Sequence, residues 1–88
     1  MGKASKLLEK ILAGRSDHNI KFSELCNLLT KLGFEVRIKG SHNIYYKEGV
    51  LEIINIQEID SHSKAYQVKQ IRDIIINYKL EIREEDES

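Results

Sequence analysis

Arg37, Lys39 and the turn Gly40-Ser41-His42 bring together the side chains of this sequence best suited to chemistry. An imidazole gives and takes protons near neutral pH, so a histidine held on a turn can serve as general acid or base. Arg37 or Lys39 can stabilise negative charge building on a phosphate. Backbone N–H groups of Gly40 and Ser41 can add to this, because glycine lets an anion come close to the chain. This set suits attack of a ribose 2′-hydroxyl on its own adjacent phosphate, where the substrate brings the nucleophile and no metal is required. The competing reading is a surface histidine at a hairpin turn. Ser41 does not read as a nucleophile paired with His42, since neighbours on a strand point to opposite faces.

The elements around the turn follow from hydrophobic spacing. Leu7, Leu8, Ile11 and Leu12 mark a short amphipathic helix over residues 5–13, with Gly14 as its stop. Ser23 is the expected N-cap of a second helix. Leu25, Leu28, Leu29 and Leu32 form its apolar stripe, and Gly33 ends it in the left-handed region. Phe34, Val36 and Ile38 alternate with Glu35 and Arg37, as on a half-buried strand. A second strand is expected over 42–47, a tight turn at Glu48-Gly49, and a third strand over 50–57. That third strand reads as apolar on both faces, Leu51 and Ile53 against Val50, Ile54 and Ile56. Its outer face needs a cover: the N-terminal helix, a second copy of the chain in a homodimer, or a partner protein. Residues 58–63 read as a polar loop. Ser63 is a candidate cap for a last helix over 64–79, with Val68, Ile71, Ile74, Ile75 and Tyr78 inward and Lys69, Gln70, Arg72, Asp73 and Asn77 toward water. The expected fold class is α+β, a three-stranded antiparallel sheet with helices on one face.

Composition bounds the rest. The chain has 88 residues, 41% hydrophobic and 32% charged, which suits one small folded domain. It has no apolar run long enough to cross a bilayer and no signal-peptide pattern at its N-terminus. Its single cysteine agrees with a reducing cytoplasm. The formal net charge of zero conceals an acidic C-terminus: residues 81–88 carry −4, leaving +4 on residues 1–80. A mildly basic body permits RNA binding. The tail reads as a solvated, disordered end or as a phosphate mimic that competes for the basic face.

Other groups give weaker signals. His18, Cys26, His42 and His62 lack metal-ligand spacing, so no metal or cofactor is expected. No glycine-rich phosphate loop is present. Cys26 lies beside the leucine stripe and reads as a small core residue. Tyr45 and Tyr46 face opposite ways, one inward and one outward. Lys64 and His62 lie near the start of the last helix, whose N-terminus can hold a phosphate.

Leu32-Gly33-Phe34, Arg37 and Gly40-Ser41-His42 followed by a strand resemble the HicA family of bacterial toxins, over roughly Phe22 to Leu80. Ala65-Tyr66-Gln67-Val68-Lys69-Gln70-Ile71-Arg72 is similar to the final helix of one subgroup. The resemblance implies a fold like double-stranded-RNA-binding domains, with residues 21–80 as the toxin domain (α-β-β-β-α) and residues 1–20 as an added helix and linker. It implies an mRNA interferase neutralised by a HicB antitoxin, with the essential histidine at His42 and the turn glycine at Gly40. Arg37, Lys39, Gly40, Ser41 and Lys64 are the expected substrate-binding residues. Many members carry Ile-Pro-x-His after the third strand. This chain has Ile59-Asp60-Ser61-His62, with no proline. The acid–base counterpart of His42 is left open between water, His62 and the substrate.

Overall fold

The computed structural model describes residues 3–57 and 62–82, apart from the side chain of Lys3. The expectations for residues 58–61 and for the acidic tail beyond Ile82 fall outside this range. The order is α1 (Lys3–Ala13), α2 (Phe22–Lys31), β1 (Glu35–Lys39), β2 (His42–Tyr46), β3 (Ile54–Gln57) and α3 (Ala65–Tyr78). The strands form one antiparallel sheet in the order β1-β2-β3. The fold is α+β, as expected.

The α2 stripe is fully buried at Leu25, Leu28 and Leu29. Gly33, at φ +99°, ends α2 as a Schellman turn, with Phe34 N–H donating to Leu29 and Gly33 N–H to Thr30. The end of α3 repeats this, with Lys79 in the left-handed position and Leu80 N–H donating to Ile75. Leu80 and Ile82 then pack, partly buried, against the core. The predicted caps are corrected. Lys21 and Lys64, in extended conformation, precede α2 and α3 without side-chain caps. Ser23 lies inside the first turn, and Ser63 is buried with its hydroxyl unpartnered. A pairing of neighbouring chain explains the shift at Ser63. Its N–H donates to Ile20 O, beside an antiparallel bridge between Lys21 and His62.

The sheet register assigns its faces. Val36, Tyr45 and Ile54 form one row across the strands, and Ile38, Asn43 and Ile56 the next, both on the helix side. Burial rises along each row. Val36 is 42% exposed, Tyr45 4% and Ile54 0%; Ile38 is 68% exposed and Ile56 0%. The helices therefore cover the β3 side of the sheet, and edge strand β1 overhangs them. The alternation predicted for β1 is present, but only Phe34, just before the strand, is buried by it. Burial, with a hydrogen bond to Cys26, pushes the Tyr45 phenol above its ordinary range; Cys26 itself is partly buried and packs against the core.

The third strand is shorter than its apolar run. Glu48-Gly49 does turn, with Gly49 at φ +91° and Val50 N–H on Lys47 O. However, residues 47–53 form a longer loop and pairing resumes only at Ile54. Leu51 and Ile53, expected on a strand face, project from this loop at 91% and 61% exposure. Tyr78 pins the loop to α3: its hydroxyl donates to Glu52 Oε1 (2.7 Å) and accepts from Leu51 N–H (3.3 Å). The bond to the Glu52 carboxylate holds the Tyr78 phenol above its usual pKa.

Helix α1 packs on α2 and α3 within the helical layer, so it does not cover the outer sheet face. Arg72, expected in water, instead locks this arrangement. Its Nη1 donates to both Asp17 carboxylate oxygens (2.9 and 3.0 Å) and to Ile11 O (3.3 Å), with the two side chains only 16% and 18% exposed. Arg72→Met keeps the apolar stem and removes these bonds. It is expected to cost about 1–3 kcal/mol, read as a lower urea midpoint at unchanged slope.

Candidate functional site

His42 opens β2 directly after a two-residue turn. Lys39 pairs with His42, and Gly40 at φ +62° is followed by Ser41 at negative φ, the sign pattern of a type II′ hairpin. A Cβ on Gly40 would meet nothing within 4 Å, so glycine is required there by its dihedral and not by crowding.

On the outer face, Lys39, His42 and Gln57 make one row, and Arg37, Ile44 and Asn55 the next. His42 Nδ1 lies 3.2 Å from Asn55 Oδ1, its diagonal neighbour on β3. This contact fixes the orientation of the imidazole on the outer face of the sheet. Gln57 Nε2 donates to Ser41 Oγ (3.4 Å), tying the turn to β3. Gln67 Nε2 donates to the Asn55 backbone oxygen (2.8 Å), tying the first turn of α3 to the same strand.

These ties shape a recess of about 280 Å³ lined by His42, Asn55, Gln57, Lys64, Tyr66 and Gln67. Among the described residues that line it none is acidic, and Lys64 brings a positive charge. Such a lining suits an anion.

The predicted site residues divide. Lys64 shares the recess with His42, and Ser41 is bonded to its wall. Lys39 stands beside His42 on β1. Arg37 lines a neighbouring depression with Ile44, Tyr46 and Ile53, one row along the same face. His62, held in its bridge to Lys21, is not among the residues lining the recess. Tyr45 is the inward and Tyr46 the outward member of their pair.

Asn55, Gln57, Tyr66 and Gln67 went unrecognised in the sequence. Asn55 and Gln57 alternate with Ile54 and Ile56, and this alternation alone places them on the face opposite the core. Among the described residues, no group of three or more His, Cys, Asp or Glu gathers in metal-binding geometry. No helix there is long and apolar enough to cross a membrane. Comparison of the chain with protein-family models, with curated proteins and with solved structures finds no significant match.

Proposed function

We propose that this chain is a HicA-like endoribonuclease acting on mRNA in the cytoplasm. His42 Nε2 takes the proton of a ribose 2′-hydroxyl. The 2′-oxygen bonds to the adjacent phosphorus, and the 5′-oxygen leaves with a proton returned by the imidazolium or by water. The products are a 2′,3′-cyclic phosphate and a 5′-hydroxyl. Lys64 and Lys39 offset the charge on the phosphate, and Arg37 and the Gly40-Ser41 turn extend the contact. The observation that carries the reading is the 3.2 Å contact from His42 Nδ1 to Asn55 Oδ1. It orients the ring at the recess that Lys64 also lines.

On this reading the order α2-β1-β2-β3-α3 corresponds to a double-stranded-RNA-binding-like fold, with α1 added in front. The HicB-like antitoxin of such a toxin would act as its inhibitor. An alternative reading, a non-catalytic module of the same fold that binds RNA or protein, is favoured by the apolar side chains beside Arg37: Ile44, Tyr46 and the exposed Ile53.

The test is to incubate purified chain with a defined mRNA fragment in the presence of a chelator and to analyse the new ends. Cyclic phosphate and 5′-hydroxyl ends are expected. Cleavage leaving 5′-phosphate ends, or intact RNA, would overturn the mechanism.

A further inference from the structure

Proton transfer and phosphate binding leave one side of the His42 recess unused. Tyr66, in the first turn of α3, lines it and is 64% exposed as a residue. Lys64 Nζ lies over the Tyr66 ring, 5.9 Å from its centroid, placing a cation against one aromatic face. Asn55 and Gln57, two apart on β3, share the outer face, and among the described residues each bonds through only half of its amide. Asn55 Oδ1 meets His42 and Gln57 Nε2 donates to Ser41. This leaves Asn55 Nδ2 as a donor and Gln57 Oε1 as an acceptor on the recess wall.

An exposed aromatic ring, an adjacent donor and acceptor, and a neighbouring cation are the parts that recognise an unstacked base next to its phosphate. The recess lies at the small end of ligand clefts, suited to one ring system. A second groove that Tyr66 lines contains Glu52 and Asp73 against one cation, Lys69, so it suits a phosphate less well than the His42 side.

We infer that the recess seats a single unpaired nucleobase, stacked on Tyr66 and hydrogen-bonded along its edge by Asn55 and Gln57. The substrate class is therefore single-stranded RNA. In an A-form duplex, neighbouring pairs cover the base faces that Tyr66 needs. This inference rests on the ribonuclease reading of His42 and specifies its substrate.

The test uses the full chain carrying His42→Ala and a single-stranded oligoribonucleotide containing 2-aminopurine, whose fluorescence falls on stacking. Saturable quenching is expected. Adding Tyr66→Ala should weaken binding by roughly tenfold or more, Tyr66→Phe should restore it, and a blunt duplex of the same sequence should compete poorly. Tyr66 is exposed and alanine favours helix, so the variant tests the ring and not the fold. Equal binding and quenching with Tyr66→Ala, or equal competition by the duplex, would overturn the seat. If the unmutated chain leaves RNA intact while the quenching pattern holds, the seat stands and the ribonuclease reading falls. If it cleaves RNA and Tyr66→Ala leaves KM unchanged, the seat falls and the ribonuclease reading stands.

Discussion

His42→Ala is expected to lower the rate of RNA cleavage by about 10²–10⁴-fold, the usual contribution of a positioned acid–base group. Its unfolding midpoint should stay close to that of the unmutated chain, because His42 is exposed and packs nothing in the core. Asn55 loses a partner in the variant but is itself exposed, so water replaces the contact. Lys64 and Lys39 remain, so residual turnover should reflect phosphate binding alone. Cleavage assays on matched concentrations of folded protein provide the measurement. In cells, growth arrest by the unmutated chain should be relieved by a co-expressed inhibitor from the neighbouring reading frame. Undiminished arrest by a well-expressed His42→Ala chain would remove histidine chemistry from the account.

Ile56→Ala carries the largest expected stability effect. Ile56 is fully buried and lies on β3 between Asn55 and Gln57, facing the helices while both neighbours face the recess. Truncating a buried isoleucine costs about 2–5 kcal/mol, from lost transfer energy and the cavity left behind. Domains of this size have total stabilities toward the low end of about 5–15 kcal/mol, so the variant should be largely unfolded at modest urea. Ile56→Val, which removes one methylene, should cost about 0.5–1.5 kcal/mol and keep the site intact. Urea titration followed by circular dichroism separates the two. A loss under about 1 kcal/mol for Ile56→Ala would mean that β3 is not anchored to the core as described.

The helices were the most legible part of this sequence because their information is local. The leucine stripe of α2 and the left-handed Gly33 need only a few neighbouring residues to be read. The lateral position of a strand in its sheet is not local. Val36 and Ile38 alternate correctly, yet they stand at an edge beyond the helices, and only the finished packing decides that. Arg72 was missed for the same reason, since its partner Asp17 lies 55 residues away. The β2-β3 register shows a milder case. A two-residue turn at Glu48-Gly49 would set His42 opposite Asn55, whereas the longer loop sets it opposite Gln57. A shift of two preserves the face, so both amides still share the side of the sheet with His42. The turn holding His42 was readable; the amides that orient it depended on a register no single segment specifies.

The bond from Gln67 to the Asn55 carbonyl has a consequence for how molecules of this protein can meet. The outer edge of β3 would otherwise present unpaired backbone groups, which are templates for strand addition. Gln67 occupies one such acceptor, the Asn55 carbonyl. Among the described residues, the edge left open is that of β1, which carries Glu35, Arg37 and Lys39. Strand addition on β3 would have to displace the Gln67 bond, and on β1 it is discouraged by charge.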